Sequence, residues 1–364
     1  MQLYISNKEN LYKILFFKKM MADNFTEMIH FLEDVAKVNQ AITLPFLHKK
    51  TGLKILDKGQ DHGMIVTQAD KKVSQYLLDG GIESIPGIRE VYSGSFSEED
   101  DSIERVNSLT IYQIDPIDGT GDMVDSYKSS RVVSPTTLVS KLERKNISEN
   151  FVPVSGLIFD VLNGFGLVSD GNENGLYKIE GDKIKEIIYE KKEHPWKDGD
   201  TIKINRRVSY PQLTFDGPFM DYLQSQFKIE RVNVGGAGTF AMQFFRNYIE
   251  PKEFVKGFSD LETVTLMFNA QPDWKTWDTD PTEVVANALG LPERTDIYGK
   301  ELKTNASTQK LSNMHHKYGY VLSHDKNLRT ELTNLAEEFT RKNPNCLLTK
   351  KDYSYKDAIV SLVQ

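Results

Sequence analysis

The chain has 364 residues, with 45 Lys and Arg against 52 Asp and Glu, a formal net charge of −7, and 39% hydrophobic and 27% charged residues. These are globular proportions, and the length suffices for one large domain or for two lobes. The acidic surplus excludes a nucleic-acid polymer as the main partner, and a single cysteine, Cys346, excludes an internal disulfide framework and a cysteine-based zinc cluster.

Residues 1–23 read as an extension that the fold does not need. Within it, LYKILFF (residues 11–17) falls short of a signal h-region, because Lys13 interrupts it and no small-residue cleavage site follows. Translation from Met20 or Met21 would remove most of this stretch. No apolar run reaches the roughly 18 residues that cross a bilayer, so the expected setting is the reducing cytoplasm, with no membrane partner. Residues 24–364 then read as one domain with two sheet-containing lobes.

From Asn24, FTEMIHFLEDVAKVNQAITLPFL sets Phe25, Met28, Ile29, Leu32, Val35 and Val38 near helical spacing, with Phe31 broadening the face. Lys49–His62 reads as a polar loop and Met64–Val66 as a brief extended run. Thr67 then caps a helix that carries Asp70 at its third position, as in a capping box, and closes at Gly80-Gly81. A β-rich run, Ile88–Phe96, ends on the acidic stretch Ser97–Asp101. Leu109–Ile114 reads as a strand that stops where Asp115-Pro116-Ile117-Asp118-Gly119-Thr120 begins a turn. Strands at Thr136–Leu142 and Val152–Phe159, followed by Gly164–Val168 and Gly175–Ile179, have the turn residues of a meander. Beyond it come an amphipathic stretch at Ala241–Tyr248 and a helix at Pro281–Leu289, with Asp280 as N-cap, Pro281 first and Glu283 third. A last helix is expected at Leu328–Phe339. The whole is a mixed α/β globule.

Chemistry gathers at the carboxylates. Asp115 and Asp118, beside an open position, suit a hard cation shared with a phosphate, because such cations want oxygen ligands and keep several waters. Gly119 admits a ligand close to the backbone, following amides could cradle phosphate oxygens, and the Thr120 hydroxyl could orient a water. Each motif alone has a plainer reading. DPID is also an Asp-Pro turn, Glu98-Glu99 a solvated acidic loop, Asp278 a surface residue at a helix start, and Asp70 part of a cap.

In their order, Asp70, Glu98-Glu99, DPIDGT (115–120) and Trp277-Asp278 resemble the lithium-sensitive, magnesium-dependent phosphatases. That superfamily includes inositol monophosphatase, inositol polyphosphate 1-phosphatase, 3'(2'),5'-bisphosphate nucleotidase and fructose-1,6-bisphosphatase. Weaker cues are GGAGT (235–239), TDIYGKEL (295–302) and YGYVLSHD (318–325). The resemblance implies an α/β fold, the five-layered αβαβα sandwich of the inositol monophosphatase and fructose-1,6-bisphosphatase type. It implies a first Mg²⁺ on Glu98, Asp115 and the carbonyl of Ile117, and a second on Asp115, Asp118 and Asp278, with Glu99 near a third, weaker site. Lithium would inhibit. Asp70 and Thr120 would polarise the attacking water, and Gly119 and Thr120 would hold the scissile phosphate, with Gly238 and Thr239 also on the substrate.

The residue after GGAGT is often lysine in bisphosphatases and small in monophosphatases; here it is Phe240, which reads as a core aromatic beside Met242, Phe244 and Phe245. The loop SEEDDS is similar to that of bisphosphate nucleotidases. Lys203, Arg246, Lys256 and Lys275 are candidate cations for a second phosphate. The implied substrate is a bisphosphorylated inositol or adenosine 3',5'-bisphosphate, ahead of inositol monophosphate and fructose 1,6-bisphosphate. The alternative is a catalytically silent relative that binds phospho-ligands. No obligate protein partner is evident.

Overall fold

The computed structural model describes residues 36–45, 55–57, 65–76, 95–97, 109–120, 134–172, 175–180, 183–187, 189, 197, 199–205, 216–232, 236–250, 253–254, 265–269, 276–291, 294–302, 316, 319–323 and 325–344. A helix over residues 36–45, α1, continues the periodicity expected from Asn24. Strands β1 (Ile55–Asp57) and β2 (Ile65–Thr67) pair antiparallel, so the polar stretch expected to be a loop holds a short strand. Helix α2 (Gln68–Tyr76) follows at once, with Thr67 in the cap position and Asp70 in the first turn.

Among the described residues, seven strands then form one sheet in sequence order: β3 (Ser95–Ser97), β4 (Thr110–Asp118), β5 (Thr136–Glu143), β6 (Val152–Asp160), β7 (Phe165–Ser169), β8 (Leu176–Glu180) and β9 (Lys183–Glu186). β3 runs parallel to β4, and from β4 onward neighbours are antiparallel. Left-handed glycines make the tight connections, Gly164 (φ 61°) before β7 and Gly171 (φ 74°) after it. The central strands are apolar on both sides because both faces are covered. Ala36 of α1 and Val73 of α2 pack with Tyr112, Ile114, Val139, Leu157 and Phe159 on one face. On the other, Leu138, Ile158, Phe165 and Leu167 meet α4 (Ala237–Phe245) and α5 (Thr276–Ala288).

Beyond α4 and α5 lie the antiparallel strands β12 (Met267–Asn269) and β13 (Tyr320–Leu322). Strand alternation sends Met267, Tyr320 and Leu322 inward to α4 and α5. Phe268 and Val321 turn outward to Phe219 and Leu223 of α3 (Asp216–Gln226) and to Leu328, Leu332 and Phe339 of α6 (Lys326–Lys342). Ile202 and Ile204 of β10 (Ile202–Asn205), parallel to β11 (Ile229–Val232), join that outer cluster. Helix, sheet, helix, strand and helix layers succeed one another, the αβαβα sandwich that was expected. Asp325 caps α6, accepting from the amides of Asn327 and Leu328. Among the described residues, no helix is long and apolar enough to cross a membrane.

Two expected boundaries need correction. The strand read as Leu109–Ile114 runs on through Asp118, and the turn starts only at Gly119 (φ 83°). The helix read as Pro281–Leu289 begins at Thr276, which places Asp278 in its first turn and Asp280 and Pro281 inside it. Asp280 is therefore not the N-cap.

Helix α5 lies close on β6 because Gly156 has no side chain there. A Cβ on Gly156 would stand 2.9 Å from the Cα of Pro281 and 3.2 Å from its carbonyl oxygen. Backbone cannot step aside as a flexible side chain can. Gly156→Ala is expected to cost about 1–3 kcal/mol, as overpacking of a close-packed interior does. A thermal melt should show a lowered midpoint, and an unchanged one would mean that the close approach is absent.

Candidate metal centre

Successive side chains of a strand point to opposite faces, so Asp115 and Asp118, an odd number of residues apart, should face opposite ways. The pairing with β5 prevents this. Asp115 stands opposite Leu138 and Asp118 opposite Thr136, so three steps along β4 match two along β5. The extra residue is a bulge, and it turns both carboxylates toward the face that carries α4 and α5. Pro116 suits the bulge because it has no N–H to contribute to the ladder. Its carbonyl accepts instead from Asn39 Nδ2 of α1 and from Thr137 Oγ1 (3.3 Å). Asp115 Oδ1 accepts from the Ile117 amide at 3.1 Å, which braces the bend from within.

Asp118 sits at the start of α4. Its Oδ1 accepts from the Ala237 amide (3.0 Å), and its Oδ2 from the Gly238 amide (2.7 Å) and Thr136 Oγ1 (2.8 Å). Gly236, the N-cap residue, offers no side-chain cap, so a carboxylate from a distant strand satisfies the first free amides of α4. The fit depends on glycine. A Cβ on Gly236 would fall 2.3 Å from Asp118 Oδ1, and one on Gly238 would fall 2.3 Å from Thr136 Oγ1.

Asp278 arrives from the first turn of α5, partly buried, while Asp115 and Asp118 are buried. One carboxylate oxygen from each of the three lies within 4.8 Å of the others. Three acids from two chain segments are thereby brought to one point. Like charges that close repel, and a shared cation relieves them.

Behind Asp278, α5 is tied into a buried charged cluster. Arg294 Nη1 donates to Asp280 Oδ1 (2.8 Å) and to Thr279 Oγ1 (3.3 Å), and its other nitrogen pairs with Glu283. His316 Nε2 lies 2.6 Å from Thr279 Oγ1. Burial pushes Glu283 up to about 7, although Arg294 pulls it the other way. Burial opposes the charge on Arg294, but Glu283 and Asp280 outweigh it and hold the guanidinium above its usual value.

A second constellation borders the first. Thr120 Oγ1 lies 2.7 Å from Asp70 Oδ1 and 2.7 Å from the carbonyl oxygen of Ile117. All three residues are buried or nearly so. Two residues that the sequence separates by fifty positions thus share one hydroxyl proton.

The other expected site residues fall as follows. Gly238 gives its amide to Asp118, and Thr239 Oγ1 lies 3.4 Å from the Ser134 carbonyl. Phe240 is 2% exposed within the α4 core cluster. Lys203 stands 3.7 Å from Glu230 across the β10–β11 pair, and Arg246 caps the far end of α4 from Asp118. Glu98, Glu99, Lys256, Lys275, Cys346 and the extension 1–23 lie outside the described residues. Sequence reasoning missed Thr136, Asn39, Arg294 and His316. Nothing local marks them, since each acts on a residue distant in the chain.

No family profile matches the sequence, and no curated protein does. Solved structures match in fold. An IMPase from Thermotoga maritima superposes with a TM-score of 0.56 at 15% identity, over 88% of this chain and 99% of that one. The extragenic suppressor protein suhB from Bartonella henselae gives 0.53 at 15% identity, over 87% and 99%. An IMPase/NADP phosphatase complexed with Mg²⁺ and phosphate gives 0.53 at 17% identity, over 87% and 95%. The likeness establishes an α/β sandwich of the inositol monophosphatase type.

Proposed function

We propose that this chain is a magnesium-dependent phosphomonoesterase acting on a small phosphorylated metabolite. The convergence of Asp115, Asp118 and Asp278 carries the reading, because three carboxylate oxygens within 4.8 Å of one another make an oxygen-only donor set for a hard cation. The fold likeness supports it, since one neighbour is an IMPase/NADP phosphatase complexed with Mg²⁺ and phosphate.

In this reading Glu98, Asp115 and the Ile117 carbonyl would hold one Mg²⁺, Asp115, Asp118 and Asp278 a second, and Glu99 would serve a third, weaker position. Bound there, magnesium acidifies a coordinated water and stabilises negative charge on phosphoryl oxygens. Asp70 and Thr120 would orient a water, with the Asp70 carboxylate taking its proton, and the amides of Gly119 and Thr120 would hold the phosphate. Gly119 suits the task, as its positive φ (83°) lets the backbone turn directly after the end of β4.

For the substrate, a bisphosphorylated inositol or adenosine 3',5'-bisphosphate comes first and inositol monophosphate next. With Phe240 in the core, α4 supplies no cation at that position. Any grip on a second phosphate must come from elsewhere. Neighbours of the same fold include a staphylococcal IMPase complexed with products and an IMPase bound to 2'AMP, which supports a small phosphorylated ligand.

The test is phosphate release by the purified chain with Mg²⁺, with EDTA and with millimolar Li⁺. The substrates are inositol 1,4-bisphosphate, adenosine 3',5'-bisphosphate, inositol 1-phosphate and fructose 1,6-bisphosphate. Release that needs Mg²⁺ and is inhibited by Li⁺ is the expected result. A folded protein that hydrolyses none of the four overturns the reading in favour of a silent phospho-ligand binder.

A further inference from the structure

Helix α5 has a weak point beside the metal centre. Pro281 lies inside it and has no N–H to donate to the carbonyl of Trp277 one turn earlier. Asp278 lies on the early side of that gap, in the first turn of the helix.

Side chains bridge the gap instead. Arg294 reaches Thr279 and Asp280 before the proline and Glu283 after it. His316 fixes Thr279 from another side. Arg294 itself is anchored by its neighbour, since Thr295 exchanges two backbone hydrogen bonds with Val321 of β13, at 3.0 and 2.7 Å. The cluster is deeply buried, with side-chain exposures of 2% for Arg294 and 0% for Asp280. A buried ion pair gains little net stability over an apolar isostere, because desolvation cancels most of the attraction. What it does supply is fixed geometry, since the planar guanidinium fork admits few arrangements of its acceptors.

We propose that Arg294 is a positioning residue that splints α5 across Pro281 and so fixes where Asp278 stands against Asp115 and Asp118. The inference rests on the metal-centre reading above and names the part that holds it in shape.

The test measures metal affinity in the full-length chain, by titration with Mn²⁺ followed by electron paramagnetic resonance, at a temperature well below every variant's melting midpoint. Arg294→Lys keeps the charge and loses the fork. The triple variant Arg294→Met, Asp280→Asn and Glu283→Gln removes the splint without stranding a buried charge. Phe339→Leu, in the separate outer cluster, reports general destabilisation. Arg294→Lys and the triple variant should bind Mn²⁺ at least about 10-fold more weakly, as losses of groups that orient metal ligands do. The Mg²⁺ concentration for half-maximal phosphate release should move by a similar factor, while kcat at saturating Mg²⁺ stays within about threefold.

If Arg294→Lys fails to fold, the triple variant decides. Wild-type affinity in a folded triple variant overturns the proposal, and so does an equal loss in Phe339→Leu. Wild-type protein that binds no Mn²⁺ removes the metal-centre reading and this inference with it.

Discussion

Asp118→Asn is expected to lower phosphate release by at least about 10³-fold, and to destabilise the protein by about 1–3 kcal/mol at the same time. The first effect follows from exchanging a charged oxygen ligand for a neutral amide in a three-carboxylate centre. The second follows from the cap on α4. Asp118 uses both oxygens, Oδ1 for the Ala237 amide and Oδ2 for the Gly238 amide and the Thr136 hydroxyl. An asparagine has one oxygen for these two positions. Its best placement keeps the oxygen on Gly238 and Thr136 and sets its NH₂ against the Ala237 N–H, donor facing donor. A buried amide is then orphaned, and α4 loses the negative charge at its positive end. The two effects separate on measurement. Lost turnover with an unchanged melting midpoint keeps the metal role and rejects the cap, whereas normal turnover removes Asp118 from the chemistry.

The same residue shows where sequence reading reached and where it stopped. DPIDGT was legible as a pair of carboxylates beside a glycine. Its conformation was not, because the bulge that aligns Asp115 with Asp118 is a property of the register with β5. Strands β4 to β8 were readable within a few residues, since strands buried on both faces are long apolar runs broken by glycine and asparagine. The αβαβα layering was implied by the resemblance alone, as composition reaches no further than a mixed α/β globule.

The start of α5 was misread for an instructive reason. Asp280-Pro281-Thr282-Glu283 has the local chemistry of a helix beginning. In the fold both acids are instead held by Arg294, from a segment the local pattern cannot see. A capping signature states what a carboxylate could do for its own backbone, and a buried guanidinium is a stronger competitor for it. Asp70 went the other way. Its place in the first turn of α2 was readable, and its contact with Thr120 entered only through the resemblance.

That contact gives the second large prediction. Asp70→Asn should slow phosphate release by about 10²–10⁴-fold, the usual worth of a general base, with a change in stability within about 1 kcal/mol. The Thr120 hydroxyl has one proton and two acceptors, Asp70 Oδ1 and the Ile117 carbonyl, each at 2.7 Å. With Asp70 ionised, the proton points to Asp70. Once Asp70 has taken a proton from water, it donates to Thr120 Oγ1, and the hydroxyl turns to Ile117. Both states are fully hydrogen-bonded, so moving the proton requires no rearrangement of heavy atoms. Asparagine imitates the second state permanently: its NH₂ donates to Thr120 while Thr120 donates to Ile117. Geometry survives and the base is gone. Thr120→Val makes the complementary change, since it removes a donor from a carboxylate that is 1% exposed. It should lose activity to a similar degree and cost more stability, about 1–3 kcal/mol. Melting midpoints and phosphate release on the two variants decide the matter. Near-normal turnover in Asp70→Asn would show that the proton leaves by another route, and a large stability loss in that variant would show that the relay is not arranged as described.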